Sequence, residues 1–292
     1  MSKNKKKSSR KLHNQTIDED LEYYEDSKMN KSYYENFEYL SNKEKLIFEN
    51  KFSKPKNKSQ ERYFKELNKK GNKIIVATGP AGTGKTLLAT EIGIKNFLLG
   101  KYDKIIFTRP SVSVDEDLGY LPGSLEEKMA PWMRPIYDIL YNFITPKEVT
   151  NLIEMKLIEI SPLGYMRGRT FKNCWIIADE MQNCSCNQMI MLLTRIGENT
   201  KLVITGDLDQ VDRLTELNGL EDFLNKFKGK RSDSITNVEF NRTDIEREEV
   251  VKEVLQIYSG DIIPPLYKME DIDDTVLDSP VEKKDGTQSY YI

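Results

Sequence analysis

The segment IIVATGPAGTGKTLLA, from Ile74 to Ala89, restricts the fold of this chain more than any other feature. An apolar run precedes a glycine-rich turn, and Lys85, Thr86 and a second apolar run follow it. Glycines allow successive backbone N–H groups to converge on one centre, and a helix that starts there points its positive end at the same centre. The order of strand, loop and helix therefore predicts a phosphate-binding loop.

We predict that eight residues of this loop bind a nucleotide: Gly79, Pro80, Ala81, Gly82, Thr83, Gly84, Lys85 and Thr86. Lys85 is expected to reach the β- and γ-phosphates. The hydroxyl of Thr86 is a hard oxygen ligand of the kind that Mg²⁺ prefers. The alternative is a glycine turn that matches the pattern by chance, and the flanking strand and helix argue against it.

Apolar segments alternate with helical patterns between residues 60 and 260. We predict strands at residues 73–78, 104–108, 157–161, 174–178, 201–205 and 235–240. Helices are predicted at residues 85–99 and near 42–51, and capping boxes at 124–127 and 243–246 each predict the start of a further helix. Such alternation is typical of an α/β fold with a mostly parallel sheet and helices on both faces. Ligands of such folds bind at the carboxyl ends of the strands.

Acidic and amide side chains follow two of the predicted strands. The segment WIIADEMQN places Asp179 and Glu180 directly after an apolar run. We predict that Asp179 holds Mg²⁺ and that Glu180 orients or deprotonates the attacking water. In LVITGDLDQVD, Gln210 is predicted to sense the γ-phosphate and that water. The alternative for this second segment is an Asx-turn that only closes the strand.

Arginines near the predicted strand ends are candidates for stabilising charge on the γ-phosphate. They are Arg109, Arg167, Arg169, Arg195 and Arg247. A guanidinium in this role contributes on the order of 10³-fold or more to the rate. The sequence alone leaves open which of the five arginines acts in this way, since a single arginine is more often part of a surface salt bridge.

Composition limits the compartment and the partners. The net charge of −3 argues against a globally basic nucleic-acid-binding protein, although the basic block at residues 3–11 can contact phosphates. Three cysteines and no apolar run long enough for a bilayer predict a cytoplasmic protein without a disulfide framework or a membrane partner. Polar and acidic flanking segments predict tails at residues 1–54 and 261–292 around a domain at 55–260.

Further motifs occur in a fixed order along the chain. They are GPAGTGKT, RPSVSVDEDLGYLPGSLEEKMAPWMRPIYD, PLGYMRGRTFKN, IIADEMQN, MLLTRIGENTKLVITGDLDQVD and VEFNRTDIERE. Together they resemble the PhoH family, the phosphate-starvation-type ATPases related to the first RecA-like domain of superfamily I helicases. The resemblance covers roughly residues 60–258. The short form is similar to versions carried by bacteriophages, for which the location would be the host cytoplasm.

The resemblance implies a RecA-like P-loop NTPase fold that binds ATP and Mg²⁺. Gln60 resembles the family's glutamine that reads adenine upstream of the phosphate loop. The residues that match the family's catalytic positions are Glu180, Gln210 and Arg247, and those that match its metal positions are Thr86 and Asp179. Around Arg247 the family's DVVRH run reads DIERE, so the histidine is absent and glutamates flank the arginine. Arg169 and Arg195 are the alternatives for the arginine that acts in trans.

The resemblance also implies a reaction and an assembly. ATP would be hydrolysed to ADP and phosphate within a homo-oligomer, commonly a hexameric ring, in which a neighbour's arginine completes the site. The activity would be coupled to the remodelling of RNA or single-stranded DNA. A nucleotide-dependent switch that acts on a protein partner is the alternative. A small-molecule phosphotransferase ranks third, because Glu180 and Gln210 favour water as the acceptor.

Overall fold

The structure is a computed structural model that describes residues 42–110, 134–211 and 217–259. The helices are α1 (Asn42–Glu49), α2 (Lys58–Asn68), α3 (Lys85–Leu98), α4 (134–141), α5 (Pro146–Glu154), α6 (Cys186–Leu193), α7 (Gly219–Phe227) and α8 (Glu249–Ser259). The strands are β1 (Ile74–Thr78), β2 (Lys104–Arg109), β3 (Ile158–Pro162), β4 (Cys174–Ala178), β5 (Lys201–Gly206) and β6 (Ile235–Glu239). The predicted capping box at 124–127 lies outside the described residues.

The strands form one six-stranded sheet in the order β3-β2-β4-β5-β1-β6. Every pairing within it is parallel, which confirms the predicted α/β fold class. Each strand also begins and ends within one residue of its predicted position. The strand β5 lies between β1, which leads into the phosphate loop, and β4, which leads into Asp179. The carboxyl ends of these three strands are therefore neighbours at one edge of the sheet.

Two hydrophobic clusters cover the two faces of the sheet. Because side chains alternate along a strand, Ile75 of β1 joins one cluster and its neighbour Val76 joins the other. The first cluster includes buried residues of α2, α3 and α5, and the second includes those of α6 and α7. The helices thus lie on both faces, as the alternating sequence pattern predicts.

Packing extends ahead of the predicted domain start at residue 55. The ring of Phe52 is 91% buried, and it stacks on Phe143 with 4.5 Å between the ring centroids. The described residues divide into two compact units, of which the first ends at Glu246 and the second begins at Arg247. In the second unit the structure describes α8 and the residues that lead into it. The predicted division of the chain at residues 54 and 260 stays a prediction.

The capping box predicted at residues 243–246 is wrong. The cap is Asn241, whose side-chain oxygen accepts a hydrogen bond from the Thr243 backbone N–H at 2.9 Å. The carboxylate of Asp244 accepts from the Asn241 backbone N–H at 3.0 Å, and this box opens a short 3₁₀ turn, Arg242–Asp244. The hydroxyl of Thr243 is occupied because it donates to the same Asn241 oxygen. Helix α8 consequently begins at Glu249 instead.

The thiols of Cys174 and Cys184 belong to the apolar interior. Both are free and buried in the second hydrophobic cluster. Burial raises the pKa of each thiol to about 12. They are therefore neutral at physiological pH and act as small packing residues. No helix in the part of the chain that the structure describes combines the length and the apolar character needed to cross a membrane.

Candidate nucleotide-binding site

A cavity of about 430 Å³ opens at the carboxyl ends of β1, β4 and β5. Parallel strands bring these ends together, so loops that are distant in the sequence form a common wall. The residues that line the cavity are Ser53, Lys54, Lys56, Gln60, Ala81, Gly82, Gly84, Lys85, Thr86, Leu87, Leu88, Asp179, Glu180, Gly206, Asp207, Gln210 and Glu246. The set contains most of the residues that the sequence predicts to bind the nucleotide, to bind the metal or to act on the attacking water.

The phosphate loop depends on its glycines at two positions. Gly79 has a φ of 133°, and a Cβ atom there would lie 2.2 Å from the carbonyl oxygen of Phe240. Gly84 has a φ of 84° and directly precedes α3, whose first residue is Lys85. A side chain at Gly79 would meet backbone that cannot move aside, and one at Gly84 would force a left-handed conformation. The loop therefore turns sharply into the amino end of α3.

Lys85 is folded back over the inside of the loop. Its ammonium donates to the carbonyl oxygens of Gly79 at 2.5 Å and Pro80 at 2.7 Å, and only 8% of the residue is exposed. Burial lowers the pKa of Lys85, while the nearby charges of Asp207, Asp179 and Glu180 act in the opposite direction. The site thus holds an amine among carboxylates at the loop's inner surface.

The side-chain oxygens of Asp179 and Thr86 lie next to each other in the cavity. The Thr86 hydroxyl donates to Asp179 Oδ1 at 2.8 Å, and the Thr205 hydroxyl donates to the same oxygen. The backbone N–H of Asp179 donates to the Thr108 carbonyl oxygen at 2.9 Å, which ties the residue to β2. Adjacent hydroxyl and carboxylate oxygens in a cavity fit Mg²⁺, which prefers hard oxygen ligands. The sequence did not single out Thr205, because its contact with Asp179 crosses between strands.

Glu180 adopts a left-handed backbone conformation, with φ 53° and ψ 39°. Such a conformation costs a non-glycine residue on the order of 1–3 kcal/mol and occurs frequently at functional sites. It turns the chain directly into a 3₁₀ segment, Met181–Asn183, and the Glu180 side chain faces the cavity. The carboxylate accepts a hydrogen bond from Gln182 Nε2 at 2.5 Å.

Gln182 links the two acidic loops of the site, although the sequence did not nominate it. It is only 2% exposed. Besides its bond to Glu180, Nε2 donates to the Gln210 carbonyl oxygen at 3.2 Å, and Oε1 accepts from the Asp207 backbone N–H at 3.1 Å. A signal was present in the sequence, because an amide follows the Asp179-Glu180 pair by two residues at the end of a buried strand.

The loop after β5 contains the Asx-turn that was the alternative prediction. Asp207 Oδ1 accepts a hydrogen bond from the Asp209 backbone N–H at 3.1 Å, which is the Asx-turn geometry. The Gln210 backbone N–H donates to the Asp207 carbonyl oxygen at 3.1 Å. Gln210 is exposed and lines the cavity. The turn therefore presents Gln210 to the cavity, and its sensor role stays a prediction.

The amide of Gln60 bridges the phosphate loop and the segment before α2. Its Nε2 donates to the Thr83 carbonyl oxygen at 3.1 Å, and its Oε1 accepts from the Lys56 backbone N–H at 2.8 Å. Gln60 is 95% buried and lines the cavity. Both functional groups of the amide already have partners within the protein. A role in reading adenine would therefore use the second Nε2 hydrogen, and it stays a prediction.

Two of the candidate arginines are engaged in internal bonds. Arg169 forms a two-pronged ion pair with Glu159 and lies 4.5 Å from the Phe171 ring centroid. The Arg195 guanidinium donates to two backbone carbonyl oxygens and one hydroxyl. No arginine of the described residues lines the cavity. Arg247 is exposed and belongs to the second compact unit.

Comparisons with solved structures find limited overall likeness. The Pif1 helicase from Candida albicans matches with a TM-score of 0.34 and 16% identity, over 71% of this chain and 45% of that one. AMPPCP-bound DnaA from Aquifex aeolicus matches with a TM-score of 0.30 and 16% identity, over 72% of this chain and 58% of that one.

Sequence comparisons find closer relatives. A PhoH-like protein of Bacillus subtilis strain 168 is 42% identical over 190 residues, which are 65% of this chain and 59% of that protein. A PhoH-like protein of Synechocystis sp. is 38% identical over 72% of this chain and 63% of that protein. Protein PhoH of Escherichia coli strain K12 is 38% identical over 70% of this chain and 57% of that protein.

The matched region spans only about six tenths of the length of these relatives. The family model described as PhoH-like protein matches residues 53–259, which contain the whole sheet and every loop of the cavity. The resemblance seen in the motifs is therefore confirmed over most of the chain, and the chain belongs to the PhoH-like protein family.

Proposed function

We propose that this protein hydrolyses ATP to ADP and phosphate in a Mg²⁺-dependent reaction. The observation that carries the proposal is the single cavity that Lys85, Thr86, Asp179, Glu180 and Gln210 line together. These residues lie in the segments that follow three different strands, β1, β4 and β5. Lys85 offers a cation for the phosphates, and Thr86 and Asp179 offer hard oxygens for a metal. Glu180 offers a carboxylate for the water, and Gln210 offers an amide for the γ-phosphate and the water.

The phosphate end of the site is built around α3. Backbone N–H groups of the loop and the amino end of α3 favour negative charge, and the Lys85 ammonium is available to exchange its carbonyl partners for phosphate oxygens. Thr86 and Asp179 would hold Mg²⁺, which when bound neutralises charge on the phosphates. The second hydroxyl donor, Thr205, fixes the orientation of the Asp179 carboxylate.

Glu180 is the proposed general base. Its carboxylate lines the cavity beside the metal ligands, and Gln182 holds one oxygen through a 2.5 Å hydrogen bond. The other oxygen can accept the proton of the attacking water. Gln210, presented by the Asx-turn, would donate to the γ-phosphate and accept from the same water. Water is therefore the favoured acceptor of the phosphoryl group.

The test separates binding from hydrolysis. Glu180→Gln is expected to lower kcat for ATP by about 10²- to 10⁴-fold, the range for loss of a general base, while ADP still binds. Lys85→Ala is expected to abolish both binding and hydrolysis. Glu198→Gln makes the same chemical change at an exposed position away from the cavity and should behave as wild type. Full hydrolysis by Glu180→Gln would refute the proposed role of this residue.

The proposed target of the ATPase is RNA or single-stranded DNA. Support comes from the sheet edge beyond the cavity, where the loop after β3 exposes 63% of Tyr165 and also exposes Arg167. Arg109 ends the adjacent strand, in register with Pro162, and is partly exposed. An aromatic ring with guanidinium groups nearby suits base stacking and phosphate contact.

Nucleic-acid coupling is tested by titrating homopolymeric RNA and single-stranded DNA into the ATPase assay. Stimulation is expected, and Tyr165→Ala should weaken the apparent affinity for the strand by about tenfold, since stacking contributes about 1–3 kcal/mol per base. Tyr141→Ala removes another partly exposed tyrosine, 45% accessible, and should have no effect. Hydrolysis that is indifferent to both polymers would favour the alternative, a nucleotide-dependent switch that acts on a protein partner.

The proposed assembly is a ring, commonly hexameric in this family, in which Arg247 of one subunit serves a neighbour's site. In support, Arg169 and Arg195 are bonded internally, and no arginine of the described residues lines the cavity. Lys85→Ala and Arg247→Ala are each expected to be inactive alone. Mixed together, they should regain activity, because an Arg247→Ala subunit keeps an intact loop and receives Arg247 from its neighbour. An inactive mixture would contradict this assembly.

A further inference from the structure

One wall of the cavity is formed by residues 52–57, which we call the strap. It connects α1 to α2 without regular secondary structure. Ser53, Lys54 and Lys56 of the strap line the cavity together with the phosphate loop. The strap is therefore part of the same site, although none of these three residues belongs to a nucleotide-binding motif of the sequence.

A buried carboxylate fixes the front of the strap. Glu91 on α3 is only 5% exposed, and both of its carboxylate oxygens accept hydrogen bonds from Ser53. The Ser53 backbone N–H donates to Oε2 at 2.7 Å, and the Ser53 hydroxyl donates to Oε1 at 2.9 Å. Because a buried carboxylate is costly without such donors, the pair holds the strap against the side of α3.

The rest of the strap is fixed by separate contacts. Phe52 is packed in the first hydrophobic cluster. The Lys56 backbone N–H donates to Gln60 Oε1 at 2.8 Å, and Asn57 caps α2 through a 2.9 Å bond from the Gln60 backbone N–H. Lys54 lies between these anchors. The path of the strap along the cavity is thus set at both ends, and Glu91 is the α3 residue that accepts both hydrogen bonds of Ser53.

Helix α3 contributes both polar and apolar side chains to the lining of the cavity. The amino end of α3 presents Lys85 and Thr86 to the proposed phosphate position. Leu87 follows Thr86 directly and lies on the same helix face as Glu91, since residues four apart are neighbours on a helix. Leu87 is 37% exposed and lines the cavity. The cavity lining thus includes an apolar side chain of α3 as well as the strap, and a planar base can pack against such a surface.

We propose that Glu91 is a positioning residue for the nucleoside half of the nucleotide. By holding Ser53, it fixes the strap against α3. The wall proposed to contact the base is then attached to the same helix that begins at the phosphate loop. The inference rests on the proposed ATPase function. Glu91 touches no substrate itself, and it contributes to affinity only through the strap.

The test compares a ligand that has a nucleoside with one that lacks it. Ser53→Ala deletes one of the two hydrogen bonds, and Glu91→Gln replaces an acceptor oxygen by a donor. Each variant is titrated by calorimetry with ADP and, separately, with inorganic tripolyphosphate, in both cases with Mg²⁺. We expect ADP affinity to fall about threefold to tenfold in Ser53→Ala and more in Glu91→Gln. Tripolyphosphate affinity should stay as in wild type. Ser234→Ala, an exposed serine outside the cavity, is the matched control.

Equal weakening of both ligands would overturn the inference, because Glu91 would then act on α3 as a whole. Unchanged ADP affinity in both variants would also overturn it. If Glu91→Gln does not fold, Ser53→Ala alone decides, since it retains the backbone bond at 2.7 Å. A wild-type chain that binds tripolyphosphate but gains nothing from the nucleoside would refute this inference and leave the phosphate site standing. A wild-type chain that binds neither ligand would refute the proposed function itself.

Discussion

Replacement of Gln182 by methionine tests whether the site works as a connected unit. Methionine is close to glutamine in length and volume, so the change removes hydrogen bonds and leaves little cavity. It deletes the bonds to Glu180 and to the Gln210 carbonyl oxygen, and it leaves the Asp207 backbone N–H without its acceptor. The perturbation thus uncouples Glu180 from the loop after β5.

The structure sets the size of both expected effects. A hydrogen bond to a charged group contributes about 1.5–3 kcal/mol, and a buried donor left unpaired costs about 1–3 kcal/mol. We therefore expect Gln182→Met to lower the free energy of unfolding by about 2.5–6 kcal/mol. The Glu180 carboxylate, no longer held, should lose much of its value as a base, so kcat should fall by about 100-fold, within the general-base range. KM should change little, because Lys85 and the loop are untouched.

The assay is steady-state ATP hydrolysis alongside thermal unfolding of the same samples. Gln188→Met is the matched control, since Gln188 also uses its side-chain oxygen to accept a backbone N–H, from Ser185 at 2.9 Å, but lies in the cap of α6. It should lose about 1 kcal/mol of stability, as other caps do, and keep its kcat. If Gln182→Met lost stability but kept the kcat of this control, the coupling of Glu180 through Gln182 would be refuted.

Two further predictions follow from single positions. Gly79→Ala should abolish nucleotide binding, because its Cβ would lie 2.2 Å from the Phe240 carbonyl oxygen at a φ of 133°, whereas Gly164→Ala meets open space and should bind normally in the same titration. Burial lowers the pKa of Lys201 to about 8 from its ordinary 10.5. Between these two pH values the unfolded chain therefore binds more protons than the folded chain. The contribution of Lys201 to stability should consequently rise as pH increases from 8 to 10.5. Denaturant unfolding at several pH values should show this rise, and Lys201→Met should remove it; an unchanged pH slope in the variant would contradict the assignment.

The strands were predictable because each is a short apolar run with clear ends. Runs such as IIVAT and CWIIA are buried along their whole length, as expected for a parallel sheet covered on both faces. Parallel pairing then places every carboxyl end on one edge, which is why Asp179 and Gln210 could be assigned to the same site as the phosphate loop. The predicted start of α8 is wrong because it relies on Thr243 as the cap. Asn241 is a better cap and has an acid, Asp244, three residues later, and it opens the 3₁₀ turn there instead.

Contacts that cross between elements were not predictable from the sequence. The bond of Thr205 to Asp179 joins β5 to the end of β4, and the bond of Ser53 to Glu91 joins the strap to α3. Nothing in the sequence next to Thr205 or Ser53 indicates that these residues are part of a site. The ion pair of Arg169 with Glu159 is likewise a contact between two elements, and the sequence alone does not show that this arginine already has an internal partner.

Two segments that are far apart in the sequence both donate hydrogen bonds to the phosphate loop. Gln60 donates to the Thr83 carbonyl oxygen, and the Glu246 backbone N–H donates to the Gly82 carbonyl oxygen at 3.0 Å. Asn57 joins the two segments, because its Nδ2 donates to Glu246 Oε1 at 3.1 Å. The carbonyl oxygens of Gly82 and Thr83 thus accept hydrogen bonds from residues that flank the sheet on both sides in the sequence. Gln60, Asn57 and Glu246 all lie outside the six strands and outside the phosphate-loop motif, so the candidate site extends well beyond its motifs.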